Sequence, residues 1–130
     1  MQTPFHSASE YLSTTFSHLS VTDQEMSELE FEACDFIECN FTATRFKKCR
    51  FIECTFTRCN LSLVQVSQSQ FTDVIFNECK LLGVDWTRAA WPKLVFSVAL
   101  QFKHCILNDS SFFGLNLDEI TIDACKAHDV

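Results

Sequence analysis

Large apolar residues recur at every fifth position of this chain between Phe31 and Trp86. A helix repeats its apolar residues every 3.6 positions and a strand every 2, so a strict period of five fits neither element alone. The residue two positions before each large one is usually small or aliphatic, and both side chains then point to one side of an extended segment. The twelve large residues are Phe31, Phe36, Phe41, Phe46, Phe51, Phe56, Leu61, Val66, Phe71, Phe76, Leu81 and Trp86.

The period of five predicts short extended segments separated by bends. Four such units close a square coil of about twenty residues, and successive coils stack like parallel strands about 4.8 Å apart. Self-similar repeats of this kind indicate a solenoid, whose coils are not stable alone. The sequence therefore predicts a single all-β domain whose interior is filled by side chains.

Two runs carry a family resemblance, FEACDFIECNF and FKKCRFIECTFTRCNL. They resemble the pentapeptide repeat family, which implies a right-handed quadrilateral parallel β-helix, here of about 5–6 coils. The predicted organisation is an irregular N-terminal segment over residues 1–13 followed by the repeat β-helix over 14–130.

The repeat slips near its C-terminal third. Phe96 still fits the period, but Phe102 arrives one residue late, and the period of five resumes after it. One extra residue on a strand is typical of a bulge, and Pro92 cannot donate a backbone hydrogen bond. The sequence therefore predicts a bulge or loop around residues 87–101.

All eight cysteines occupy the small inward position of the repeat. Free cysteine behaves as a small buried hydrophobe, and neither disulfide nor zinc spacing explains this placement. Reduced thiols indicate the cytoplasm, and the sequence predicts no metal site and no cofactor. The cysteines are Cys34, Cys39, Cys49, Cys54, Cys59, Cys79, Cys105 and Cys125.

Charge is segregated along a chain whose net charge is −7. This acidity argues against direct nucleic-acid binding, and no apolar run approaches the ~20 residues of a membrane span. Acids dominate before residue 39, and bases follow between Arg45 and Arg58. One interpretation is a solvated surface on which opposite charges meet between coils; the other is an acidic face that imitates DNA phosphates. The candidate acidic contact residues are Glu28, Glu30, Glu32, Asp35 and Glu38.

Outward-facing apolar residues form a second candidate contact surface. Leu63 and Leu82 are expected on one face of the coil, and Ile37 and Ile75 on the preceding face. A contiguous exposed apolar patch can mark an interface, so this pattern predicts a protein partner or self-association.

Three further runs, CKLLGVDWTRAAWP, HCILNDSSFFGLNL and IDACKAHDV, resemble the quinolone-resistance branch of the same family. That resemblance implies a non-enzymatic DNA mimic that binds DNA gyrase or topoisomerase IV and protects against quinolones. Relatives of this branch continue through more repeats and a C-terminal helix, so the resemblance implies that a sequence ending at Val130 is without that part. Two alternatives stay open: a generic interaction scaffold with an unknown partner, and a truncated form without independent function.

No catalytic role is predicted. The sequence contains no phosphate-binding loop, no metal-ligand spacing and no nucleophile with a matching base, and a filled solenoid interior offers no reaction cavity.

Overall fold

The computed structural model describes residues 5, 9–90, 100–113, 115 and 120–130. Regular structure in these residues consists of twelve strands of three or four residues and one 3₁₀ helix, Trp86–Arg88. No helix of the described chain is long and apolar enough to cross a membrane. The strands are β1 (Glu10–Leu12), β2 (Thr15–Ser17), β3 (Glu25–Ser27), β4 (Glu30–Glu32), β5 (Asp35–Ile37), β6 (Arg45–Lys47), β7 (Arg50–Ile52), β8 (Thr55–Thr57), β9 (Gln70–Thr72), β10 (Val74–Asn77), β11 (Leu100–Lys103) and β12 (Ile120–Asp123).

The strands pair in parallel from coil to coil and define four sides. The first side is the sheet β1-β4-β7-β9, the second is β2-β5-β8-β10-β11-β12, and the fourth begins with the pair β3-β6. The third side is a run of single bridges through Ser20, Asn40, Asn60, Lys80, Ile106 and Lys126. This arrangement confirms the predicted right-handed quadrilateral β-helix, with about five turns.

Most corners of the described chain turn on a residue with left-handed backbone. Eighteen non-glycine residues of the described chain have φ between 49° and 62°, each two positions after the central residue of a repeat unit. Such a φ costs a non-glycine residue about 1–2 kcal/mol. The corner N–H groups bond to the next coil, as when Ala43 donates to the carbonyl of Ser62 at 2.9 Å. Stacking therefore holds the bends that the period of five predicts.

The large inward residues stack as aromatic columns. On the first side, Phe31 and Phe51 have ring centroids 5.2 Å apart and planes within 10° of parallel. On the second side, Phe36 and Phe56 lie 4.6 Å apart at 8°. Two aromatic columns run through successive coils. The first runs through Tyr11, Phe31, Phe51 and Phe71, and the second through Phe16, Phe36, Phe56, Phe76 and Phe102.

The small inward positions carry hydrogen-bond donors as well as small volume. All eight cysteine thiols donate to a backbone carbonyl of the preceding coil at 3.1–3.5 Å. Cys59, for example, lies 3.2 Å from the carbonyl oxygen of Phe36. The hydroxyls of Thr44, Ser69 and Ser110 do the same. Cysteine therefore serves here as a donor, a role that its small hydrophobic character alone does not explain.

The coil that includes residues 91–99 is longer than its neighbours. Phe76 pairs with Phe102, so residues on this coil face partners 26 positions away in place of 20. Residues 91–99 lie outside the described residues, and with them most of the bulge or loop predicted around 87–101. The described part of that range contains the end of the 3₁₀ helix and the start of β11.

The N-terminal coil is already in register where the sequence predicts irregular structure. Within residues 1–13 the structure describes Phe5 and residues 9–13, and β1 pairs with β4 in the same register as later strands. Phe5 is buried against Tyr11, Phe16 and Phe31 with edge-on rings. Its ring covers the aromatic columns at this end of the solenoid.

Candidate protein-contact surface

Acidic and basic side chains meet between neighbouring coils. Arg50 contacts Glu30 at 3.2 Å, and Arg58 contacts Glu38 at 3.3 Å. A third pair joins Arg45 to Asp23 at 3.4 Å. All three arginines are half-exposed, so each pair contributes about 0–1 kcal/mol to stability. The geometry matches the interpretation in which opposite charges meet between coils, and it engages Glu30 and Glu38, two predicted contact residues.

The other predicted acidic contacts are free of ion pairs. Glu28, Glu32 and Asp35 are exposed, and no described cation lies within 4.0 Å of their carboxylates. Glu28 occupies a corner before β4, Glu32 ends β4, and Asp35 begins β5. These three side chains therefore wrap around a corner and two sides of the rod, without forming one flat acidic face.

The structure brings the two predicted leucines together. The Leu63 N–H donates to the Leu82 carbonyl at 2.8 Å, so the residues lie on adjacent coils. Leu63 is 58% exposed and Leu82 is half-buried. A Cβ built on Gly83 would lie 3.0 Å from the Leu63 side chain, which shows that Leu63 lies over this glycine. Ile37 and Ile75 are half-buried on the second side, two strands apart.

Beside Leu63 the fourth side opens into a cleft between two coils. Elsewhere on this side, parallel β-bridges join the backbone of Arg45 to that of Gln65 and the backbone of Asp85 to that of Ser111. No β-bridge joins Gln65 to Asp85 in the described residues. The cleft has a volume of about 650 Å³. Its walls include Ala43, Leu63, Gly83, Asp85 and Arg88.

A 3₁₀ helix lies beside this break in the ladder. The Arg88 N–H donates to the Asp85 carbonyl at 3.3 Å. One coil earlier, the equivalent carbonyl, that of Gln65, accepts the N–H of Phe46 in the preceding coil. Asp85 caps the helix by accepting a bond from the Thr87 N–H at 3.1 Å. The hydrogen bond from the Thr87 hydroxyl is the main cause that lowers the pKa of Asp85 below its ordinary value. The spacing Asp-x-Thr is the sequence signal of this cap, and the period of five does not reveal it.

Two interior thiols, those of Cys49 and Cys54, are poor candidates for reactive or metal-binding groups. Burial raises the pKa of the Cys49 thiol to about 11 and that of Cys54 to about 12, which suppresses the thiolate form. Cys39, Cys59 and Cys79 share one column, and Cys105 and Cys125 extend it. No group of three or more metal-binding side chains occurs among the residues that the structure describes.

The chain matches the family model described as "Pentapeptide repeat region" over residues 29–99. A comparison with curated proteins found no match.

Two solved structures illustrate the likeness in fold. A pentapeptide repeat protein (Rfr23) from the cyanobacterium Cyanothece 51142 is 8% identical, with a TM-score of 0.64 over 89% of this chain and 85% of that one. A pentapeptide repeat protein from the thylakoid lumen of Arabidopsis thaliana is 16% identical, with a TM-score of 0.50 over 82% and 70%. A trypsin-treated variant of the plasmid-mediated fluoroquinolone resistance protein QnrB1 is 15% identical, with a TM-score of 0.31 over 93% of this chain and 83% of that one.

Proposed function

This chain belongs to the pentapeptide repeat family, and we propose that it is a non-enzymatic scaffold that binds another protein through its outward side chains. The filled interior is the observation that carries this proposal. Phe31, Phe56 and Cys54 are at most 1% exposed, and aromatic columns occupy the axis through successive coils. Chemistry is therefore left to the outer surface, which suits binding better than catalysis.

The exposed carboxylates without ion pairs are the proposed acidic contact, namely Glu28, Glu32 and Asp35. Unpaired surface charges steer partners and speed encounter, whereas acids already neutralised by arginine contribute less. The reduced thiols support a cytoplasmic location for the scaffold. Self-association through Leu63 and Leu82 belongs to the same proposal and predicts a concentration-dependent mass in sedimentation experiments.

A binding experiment with matched charge reversals tests the scaffold. The protein and two triple variants are immobilised and exposed to lysate of the source cells, and retained proteins are quantified by mass spectrometry. We expect a partner that is retained by the wild-type chain and lost from the first variant, Glu28→Lys with Glu32→Lys and Asp35→Lys. The control variant, Asp109→Lys with Asp123→Lys and Asp129→Lys, changes net charge equally at the other end of the rod. Identical retention by all three proteins contradicts the proposed contact.

The second candidate function is protection of DNA gyrase or topoisomerase IV by imitation of duplex DNA. The net charge of −7 and the exposed carboxylates of the first coils favour it. The three arginine–carboxylate pairs count against it, because they neutralise part of the acidic surface. A supercoiling assay with gyrase and a quinolone decides the matter, and absence of protection at micromolar protein removes this candidate.

A further inference from the structure

We propose that Cys105 and Cys125 bind one soft monovalent metal ion, Cu(I) or Ag(I), between their two sulfur atoms. The site lies at one end of an interior column of cysteines and is separate from the outward side chains of the proposed protein contact. The spacing of the sulfurs, the surroundings of the two thiols and the exposure of Cys125 support it. The column consists of Cys39, Cys59, Cys79, Cys105 and Cys125.

The sulfur atoms of this column repeat at the spacing of the coils. Four of the five thiols donate to a phenylalanine carbonyl of the preceding coil with the same geometry. They are Cys59, Cys79, Cys105 and Cys125, each 3.2 Å from the carbonyl oxygen of Phe36, Phe56, Phe76 and Phe102 respectively. The same side-chain geometry in each coil places neighbouring sulfurs one coil apart, about 4.8 Å. The last two coils keep this register, because Lys103 pairs with Asp123.

This spacing selects the kind of bond that the sulfurs can form. A disulfide bond is about 2.05 Å long, so sulfurs one coil apart cannot form one without movement of the backbone. A metal–thiolate bond is about 2.3 Å long, and an ion midway between two sulfurs therefore spans about 4.6 Å.

The sulfurs also lie in a row, which gives each ion two ligands. A structural zinc site needs four ligands that converge on one point. Among the residues that the structure describes, no group of three or more side chains could hold a metal ion. Thiolates prefer soft ions such as Cu(I), and two of them in line suit an ion that accepts two ligands.

The surroundings of the pair suit a cation between two thiolates. The side chain of Cys105 interacts with that of Cys125, and the Cys105 N–H donates to the Cys125 sulfur at 3.3 Å. A thiolate accepts such a bond more strongly than a thiol does. The carbonyl oxygens of Phe76 and Phe102, which accept the two thiol protons, would face the positive charge of the ion in their place.

Access distinguishes this pair from the rest of the column. Cys125 is half-buried, whereas the other seven cysteines are buried. An ion therefore reaches the column at Cys125 and is held against Cys105. Binding releases two protons to solvent and involves no oxidation, so the ion and the two thiolates together carry one negative charge.

Titration of the reduced full-length protein with Cu(I) tests the proposal, in the absence of oxygen and in competition with a chromophoric Cu(I) chelator. We expect the first equivalent to bind as one ion per chain, with two sulfur neighbours in the copper X-ray absorption spectrum. Ag(I) should give the same stoichiometry in native mass spectrometry. Zn(II) should bind at least about tenfold more weakly, because two thiolates fill only half of its usual coordination shell.

Serine variants locate the site and keep an interior donor, since Ser69 donates to a carbonyl of the preceding coil from the equivalent inward position. Cys125→Ser and, separately, Cys105→Ser should weaken Cu(I) binding at least about tenfold. Cys49→Ser is the control and should leave binding unchanged, because its neighbours in the adjacent coils, Leu29 and Ser69, carry no thiol.

Three results would overturn the proposal. The first is unchanged Cu(I) affinity in the Cys125→Ser variant. The second is a complex with two chains per ion, because Cys125 alone would then supply both sulfurs. The third is loss of the β-sheet circular dichroism signal at one equivalent of metal, because thiols of the unfolded chain would then be the ligands.

Discussion

The hydroxyl of Ser69 donates to the carbonyl of Phe46 at 3.0 Å and accepts the backbone N–H of Cys49 at 3.1 Å. One buried side chain thus satisfies two backbone groups of the preceding coil. Ser110 repeats the arrangement, with the Leu81 carbonyl as acceptor and the Val84 N–H as donor. The small inward residues therefore hydrogen-bond neighbouring coils to each other in the interior, in addition to the backbone hydrogen bonds between coils.

Removing this hydroxyl should destabilise the protein. Ser69→Ala leaves a buried donor and a buried acceptor without partners, and we expect a loss of about 1–3 kcal/mol in the free energy of unfolding. Ser69→Cys retains a donor, as eight natural cysteines do, and should cost clearly less. Chemical denaturation of the two variants compares them. If Ser69→Ala proves no less stable than Ser69→Cys, the interior donors do not stabilise the stack.

The aromatic column on the second side should carry a large share of stability. Phe56 is 1% exposed and stacks on Phe36 and Phe76, at 4.6 and 5.0 Å. We expect Phe56→Ala to cost about 3–5 kcal/mol in the free energy of unfolding, since it leaves a cavity among rings. Phe113, which is 89% exposed, provides the control, and Phe113→Ala should change stability by less than about 0.5 kcal/mol. A loss under about 1 kcal/mol at Phe56 would contradict an interior position.

The thiols should differ sharply in reactivity in the folded protein. Seven cysteines are buried, and Cys125 is half-buried in the last described coil. Iodoacetamide at mildly alkaline pH should therefore modify Cys125 first, while denaturant should expose all eight. Mass spectrometry after a short exposure counts the modified sites. Rapid native modification of Cys54 or Cys59 would show that the coils open more readily than their packing indicates.

Stability should decrease above about pH 9 because the buried thiols of Cys49 and Cys54 resist ionisation. Burial raises the pKa of Cys49 from 9.0 to about 11 and that of Cys54 to about 12. The unfolded chain therefore loses these protons first, and the stabilising contribution present below pH 9 is lost as the pH rises through 11 and 12. Each thiol contributes a slope of up to about 1.4 kcal/mol per pH unit in that window. Denaturation between pH 8 and 10.5 measures it, and Cys54→Ser should reduce the slope; a flat profile opposes the assignment.

The interior was predictable because one rule fixes it. Side chains that recur at intervals of five residues all point to the axis of the coil, so the spacing alone places Phe41, Cys59 and Phe76 in the interior. All three are at most 2% exposed. The ion pairs were also open to prediction. Glu30 and Arg50 lie one coil apart in sequence, and the register brings them to 3.2 Å.

The cleft was not predictable from the repeat. The period continues through Val66 and Trp86 without a slip, so spacing alone gives no sign that the ladder between Gln65 and Asp85 is broken. At the break the backbone carbonyl of Asp85 accepts the N–H of Arg88 in its own coil. The cap that Asp85 forms on the 3₁₀ helix is a local feature, and a five-residue template does not contain it.

Left-handed corners have a consequence for how the molecule assembles. Eighteen non-glycine residues adopt a left-handed backbone conformation that is intrinsically unfavourable for them. This cost is offset only when a neighbouring coil is in place to accept the hydrogen bonds of the bend. Folding should therefore proceed coil by coil, with each folded coil providing the hydrogen-bond partners for the next, and unfolding should start at the ends of the solenoid. The turns around Phe36, Phe56 and Phe76, which have neighbours above and below, would be the last to exchange their amide protons with solvent.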